Sequence, residues 1–172
     1  SFDKRFEFFW NIGMNIEAGF FSLVISRLLA RGYDFVVVQS AGNGDGVTGA
    51  PCDSFYNGTF SSITEKNVFA GLSREKKREV LDRIIIVGSV INDFNGESYY
   101  QSSFSNVGAN VDICAPGSSV FSCDTAENGN YSYKSGTSMA APVVTGIAAL
   151  VWSVNPQLTG AQVRDIVCSP GN

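Results

Sequence analysis

The chain contains no histidine. Histidine is the usual general base for a serine or cysteine nucleophile near neutral pH, and its imidazole is the commonest metal ligand. A histidine-based catalytic triad therefore cannot be completed from these residues. A zinc site is not expected either, because the four cysteines, Cys52, Cys114, Cys123 and Cys168, form no CxxC pair. Their spacing is compatible with two disulfides or with four buried thiols, the thiols being favoured. A basic excess is also missing. The net charge of −4 gives no reason to expect nucleic acid as a partner. The one charge-dense stretch, residues 65–83, mixes both signs and reads as a solvated surface. Long hydrophobic runs are absent: residues 139–152 are too few for a bilayer and Gly146 interrupts them, so no membrane span is expected. No signal peptide is visible, and the first residue is not Met, which fits a mature or cut form. The Gly42-Asn43-Gly44-Asp45-Gly46 stretch lacks both GxGxxG spacing and the Lys-Ser/Thr of a phosphate loop, which argues against nucleotide binding. No repeat and no low-complexity linker is present.

What remains is an alternation of helical and strand patterns in 172 residues, a length suited to one domain. Residues 5–10 are aromatic-rich and read as a strand, broken by Asn11-Ile12-Gly13-Met14-Asn15. A helix is expected over 16–30, capped by Asn15, with Phe20, Leu23, Val24 and Leu28 on its core face and Ser22 and Ser26 away from it. Gly32 suits the C-terminal cap. Residues 35–38 read as a strand covered on both faces, ending in a loop at its carboxyl end. Residues 47–69 look irregular, with a glycosylation sequon at Asn57-Gly58-Thr59 that matters only in a eukaryotic secretory setting. A short surface helix is expected over 73–83 and a second buried strand over 84–87. Residues 99–114 alternate loops and short strands, and Ala115-Pro116-Gly117 reads as a turn. Residues 120–123 and 131–133 pair as a hairpin around Asn128-Gly129. An apolar helix from Ser138 should run through the core and end at Asn155-Pro156, with Pro142 freeing one carbonyl of its first turn. A final helix starts with a Thr159–Gln162 capping box and turns Val163, Ile166 and Val167 inward.

The chain is organised around Ser135-Gly136-Thr137-Ser138-Met139-Ala140-Ala141-Pro142. A small glycine approach leads a hydroxyl residue into the start of an apolar helix. A serine there lies against free backbone N–H groups and the positive end of the helix dipole, which suits a nucleophile whose partner becomes an oxyanion. The same residues also make an ordinary N-cap.

Gly136-Thr137-Ser138-Met139-Ala140-Ala141-Pro142 closely resembles the nucleophile motif of subtilisin-like serine proteases, the subtilases. Other blocks agree in the family's order. Val37-Val38-Gln39-Ser40-Ala41-Gly42-Asn43 resembles the strand and loop carrying the oxyanion-hole asparagine. Ile84-Ile85-Ile86-Val87-Gly88-Ser89-Val90 resembles the next sheet strand. Ser103-Phe104-Ser105-Asn106-Val107-Gly108 and Val111-Asp112-Ile113-Cys114-Ala115-Pro116-Gly117 resemble the segments before the nucleophile. The resemblance spans residues 9–168. It implies an α/β fold of three αβα layers around a mostly parallel sheet, incomplete at its N-terminal side, with residues 1–172 as the C-terminal portion of one catalytic domain. It implies Ser138 as nucleophile and Asn43 as oxyanion donor together with the Ser138 N–H. Ser40, Ala41 and Gly42 would form a wall of the specificity pocket, Thr137 would lie with the substrate-binding residues, and Gly13 and Met14 would pair with extended substrate by strand addition.

The family's aspartate and histidine motifs are not matched by any segment. Asp3 and Asp34 stand in no such motif. Val143 occupies a position where the family often has histidine, and residues 47–83 read as an insertion near the cleft. The expected partners are a peptide or protein substrate and an upstream portion or second chain supplying the aspartate and histidine. Self-association through exposed sheet edges is a further expectation. No cofactor is evident, although calcium is frequent in the family, as is secretion to the extracellular space. A pseudoenzyme serving as a binding or scaffold module is the alternative.

Overall fold

The computed structural model describes residues 4–44, 50–53, 60, 63–64, 67–92, 95, 98–125 and 129–169, with the backbone alone for 4–11. The order is α1 (Lys4–Ala30), β1 (Val37–Ser40), α2 (Arg74–Leu81), β2 (Ile84–Asn92), β3 (Tyr99–Gln101), β4 (Ile113–Pro116), β5 (Val120–Cys123), β6 (Tyr131–Lys134), α3 (Thr137–Val154) and α4 (Gly160–Cys168).

The isoleucine run explains the centre of the fold. In β2 the side chains alternate between sheet faces, so Ile84 and Ile86 join one buried cluster and Ile85 and Val87 the other. A strand apolar on both sides needs covering on both sides. The first cluster brings in Ala18 and Ile25 of α1, Val80 of α2, and Ile63 and Val68. The second brings in Ala140, Val144 and Ala148 of α3 with Val163 and Val167 of α4. Helices thus cover both faces of the sheet.

The sheet itself is mixed. β2 runs parallel to β1 (Val37 opposite Ile84) and to β4 (Val87 opposite Ile113), but antiparallel to β3 (Val90 opposite Gln101). The expectation of a mostly parallel sheet is corrected to that extent: β2 outlasts β1, and β3 folds back along the edge that β1 leaves. β5 and β6 form a separate antiparallel pair, as the hairpin pattern predicts, although Asn128 lies outside the described residues.

Several expectations are corrected. Residues 5–10 belong to α1, and the break at 11–15 does not exist. No proline interrupts this stretch, and a lone glycine costs a helix only about 1 kcal/mol. A helix also satisfies its own backbone, whereas a strand here would need an edge to pair with. Within α1, Ser22 and Ser26 are buried and Phe20 is exposed, the reverse of the expected faces. Ser22 tolerates burial because its hydroxyl donates to Gly19 O (2.8 Å) and accepts from the Phe69 N–H (2.9 Å). Residues 67–72 pack on α1 through this bond and through the Asn67–Asn15 side-chain bond of 3.0 Å, and Ile63 and Val68 join the cluster there, so the presumed insertion supplies part of the core. Ala115 and Pro116 end β4 rather than forming a turn. Ile166 points outward while Val163 and Val167 point inward. The four cysteines are free thiols and none is buried: Cys52 and Cys168 are half-buried, Cys114 and Cys123 exposed.

The largest correction concerns α3. Thr137, Ala140, Val144 and Ala148 are buried, but Leu150 is 68% and Val154 86% exposed. Its apolar periphery is only half covered, so α3 is a sheet-facing helix with a bare outer stripe. By length and hydropathy alone, Ile12–Ala30 and Thr137–Val154 could each cross a membrane, contrary to the expectation of no such segment. Helices that pack one face on a sheet share those properties, and both do so here.

Candidate active site

The carboxyl ends of parallel strands β1, β2 and β4 meet the N-terminus of α3. Open α/β sheets gather ligand sites at this place. From β1 the chain continues through Ala41 and Gly42 to Asn43. From β4 it continues to Gly117, whose carbonyl accepts the Gly136 N–H at 2.8 Å and so fixes the residue before α3. A side chain on Gly117 would collide with Ser89, Gly136 O and Ala140, so only glycine lets β4 and α3 approach this closely.

Thr137 locks the two halves together. It is fully buried. Its backbone N–H donates to Asn43 Oδ1 at 2.9 Å, and its hydroxyl donates to the same oxygen at 2.9 Å. The hydroxyl also accepts the Gly42 N–H at 3.1 Å. Because the Thr137 N–H can only donate, the carboxamide must turn its oxygen this way and its Nδ2 the other. Nδ2 lies 3.2 Å from where a Cβ on Gly136 would stand, so Gly136 leaves the room it occupies. Asn43 has no positive φ, so its backbone is not that of a left-handed turn asparagine.

Ser138 is exposed in the first turn of α3. The first N–H groups of a helix have no intrahelical acceptor. Here Thr137 N–H goes to Asn43 and Met139 N–H to Gly136 O at 2.9 Å. The Ser138 N–H and the Asn43 Nδ2 are left without an acceptor among the described residues. No acidic residue sits in the first turn of α3, so nothing there offsets the positive dipole end. The arrangement offers one exposed hydroxyl and two open donors at a positive helix end. Gly136 supplies no side-chain cap bond, so capping does not account for the serine.

The other expected site residues are placed differently. Thr137, expected among the substrate-binding residues, is fully buried and its side chain holds Asn43. The resemblance marked Thr137 as part of the site, and a hydroxyl next to a backbone that must be pinned was the sign of its actual work. Ala41 is fully buried in the α1-side core and Gly42 is buried, which leaves Ser40, half-buried, as the accessible residue of the expected pocket wall. Gly13 and Met14 lie inside α1, where backbone groups are used by the helix, so they offer no edge for strand addition. Two clefts lie away from Ser138. One of about 380 Å³ is lined by Leu29, Tyr33, Asp34 and Arg83, and one of about 320 Å³ by Phe60, Ile84, Asp112 and Arg164. Among the described residues no three acidic or cysteine side chains converge, so calcium has no such cluster here. Asp45 of the glycine loop lies outside the described residues. Cys114 is exposed as a residue, but its sulfur packs against Gly88, and partial desolvation pushes its thiol and that of half-buried Cys168 above their ordinary value, which makes neither a rival nucleophile.

The model of the subtilase family matches residues 13–169. The chain belongs to the subtilase family. Among subtilases, it is 43% identical over 88 residues to subtilisin DY of Bacillus licheniformis, covering 51% of this chain and 30% of that protein. It is 40% identical over 88 residues to subtilisin-like protease 1 of Plasmodium berghei (strain Anka), covering 50% of this chain and 14% of that one. A cold adapted subtilisin-like serine proteinase of known crystal structure aligns at 31% identity over 76% of this chain and 36% of that chain, with a TM-score of 0.49. The matches to these subtilases span only about a third of their length or less.

Proposed function

We propose that the chain is the nucleophile and oxyanion portion of a subtilase endopeptidase. The carrying observation is the Asn43–Thr137–Ser138 arrangement, in which two N–H donors stay open beside one exposed hydroxyl. Ser138 Oγ attacks a peptide carbonyl carbon, and its proton passes to a base outside these residues. The carbonyl oxygen becomes the oxyanion and accepts from Asn43 Nδ2 and the Ser138 N–H. The C–N bond then breaks, the amine leaves with the proton, and water hydrolyses the acyl-enzyme. Removing one such donor costs about 10²–10³ in kcat, a magnitude measured on a subtilisin asparagine.

The base and its aspartate must come from elsewhere, since the chain has no histidine. We propose an upstream portion of the same domain, or a companion chain, as their source. The bare stripe of α3, with Val143, Ile147, Leu150 and Val154 exposed, supports this reading, because an apolar face of that kind needs cover. β1 and β4 pair only with β2 among the described strands, so each keeps an outer edge open to such a partner.

The test joins this chain to the segment carrying the histidine and aspartate and treats the product with a fluorophosphonate probe. Ser138 should be labelled, S138A should not, and the 172-residue chain alone should show negligible peptidase activity. A well-folded complete protein that leaves Ser138 unlabelled would be a pseudoprotease, and the enzymatic reading would be lost.

A further inference from the structure

Asn43 sits between two pivots. Gly42 has φ 96° and Gly44 φ 81°, both in the left-handed region that glycine enters freely. A Gly-Asn-Gly segment has little stiffness of its own, so the direction of Asn43 must be set from outside. Thr137 grips its carboxamide oxygen. The backbone on either side is gripped by a different residue, Asn106. The Asn106 N–H donates to Gly42 O at 2.9 Å, and Asn106 Oδ1 accepts the Gly44 N–H at 2.8 Å and the Cys52 N–H at 3.1 Å. One side chain and its own amide thus hold both pivots and tie Gly44 to Cys52.

Asn106 is itself fixed. It is 3% exposed. Its carbonyl accepts from Ser105 Oγ at 3.2 Å, and Ser105 Oγ accepts the Ser89 N–H of β2 at 2.9 Å. Ser105 also forms an isolated antiparallel bridge with Asn43. A continuous set of bonds therefore runs from the central strand through Ser105 and Asn106 to the Gly42–Gly44 backbone.

We propose that Asn106 is a positioning residue for the oxyanion site: it fixes the backbone of Gly42-Asn43-Gly44 so that Asn43 Nδ2 is aimed before substrate arrives. This rests on the reading of Asn43 as oxyanion donor. Preorganised donors act without reorganisation during the reaction, and a small misplacement of a reacting geometry is expensive. Removing the grip should lower kcat and leave ground-state binding nearly alone.

Two measurements test this, and they fail separately. The first uses the 172-residue chain itself and needs no activity. The Asn43 side-chain amide pair in a ¹H–¹⁵N spectrum, assigned by its loss in N43A, should be displaced from free-asparagine positions. It should move toward them in N106A and return in N106D, whose carboxylate can still accept from Gly44 and Cys52. N106S, too short to reach both N–H groups, gives the same comparison if N106A does not fold. The second uses the complete enzyme and a double-mutant cycle. N106A should lower kcat about 10–100-fold with KM changed less than about threefold, and should have almost no further effect in an N43A background. An unmoved Asn43 amide in a folded N106A protein would overturn the proposal. So would a kcat loss that persists in full after Asn43 is gone, since that would mark Asn106 as general scaffold. Absence of any Ser138 labelling in the complete enzyme would instead strike the enzymatic reading and leave the first measurement standing.

Discussion

Replacing Thr137 by valine separates its hydrogen bonding from its packing. Valine keeps the branched shape of threonine in a fully buried site, so the volume is conserved. It loses the hydroxyl that accepts the Gly42 N–H and donates to Asn43 Oδ1. The Gly42 N–H is then buried without an acceptor, which costs about 1–3 kcal/mol, and the lost bond to Asn43 adds about 0.5–1.5 kcal/mol. The Asn43 oxygen keeps the Thr137 backbone N–H, so it is not orphaned. The expected sum is about 1.5–4.5 kcal/mol, a large fraction of the 5–15 kcal/mol typical of a domain. T137S makes the opposite change: both hydroxyl bonds survive, and one buried methyl is lost at about 1 kcal/mol. Urea unfolding of the chain, followed by circular dichroism, should therefore rank wild type above T137S above T137V. If T137S were the less stable of the two variants, the methyl rather than the hydroxyl would govern the site, and the clamp reasoning would be refuted.

Two further outcomes are expected. Burial alone would raise the Asp34 carboxyl, but the hydrogen bond from Arg83, the Gly160 N–H, the Arg83 charge and the Phe35 N–H outweigh it and hold the group below its ordinary value. Stability from that group is present above the ordinary range near about pH 4 and is lost as pH falls through the lowered folded value. Burial dominates at Asp112 and raises its carboxyl despite the Ile86 N–H and Arg164, so its contribution has the opposite sign and is lost as pH rises through the raised value. D34N should accordingly flatten the rise of stability between about pH 3 and 5, and D112N should steepen it; denaturant titrations across that range that showed the reverse order would refute the assignment. On α3, L150K and V154K alter residues that are 68% and 86% exposed, so each should change stability by less than about 0.5 kcal/mol. Both should reduce self-association in sedimentation velocity, and an unchanged sedimentation profile at high concentration would show that the stripe is not adhesive.

Much of this architecture is written locally. The Thr159–Gln162 capping box forms with both of its reciprocal bonds. Ser73 caps α2 through the Lys76 N–H at 3.3 Å, and Gly32 closes α1 with φ 84°. These elements were legible because short-range chemistry decides them. The start of α1 reads as a strand from its aromatic residues, but these favour strands only where a sheet edge awaits them. The burial of Ser22 depends on a partner 47 residues away, the Phe69 N–H, which no periodicity reveals. The bare face of α3 was illegible for a related reason: an apolar sequence shows that cover is wanted, not that it is present. At the candidate site, motif alone points to Ser138 and Asn43, whereas the bonds of Thr137 and Asn106 are a matter of which atoms meet across 94 and 62 residues of chain.

The division between what this chain holds and what it lacks follows the physics of the two tasks. Oxyanion stabilisation needs donors that do not move, and the two proposed here are built from elements within the chain: Asn43 follows β1, the Ser138 N–H opens α3, and Thr137 bonds Asn43 to the start of that helix. Proton transfer needs a titrating group, and none of the right kind is present. On the proposed reading both donors are in place before any base arrives, so adding the base should require docking rather than refolding. A companion that covers the outer stripe of α3 would bury Ile147 and Leu150 on the helix whose first turn holds Ser138. On the proposed reading the same apolar surface would bring a base to the nucleophile, and catalysis and cohesion of the domain would be gained in one association.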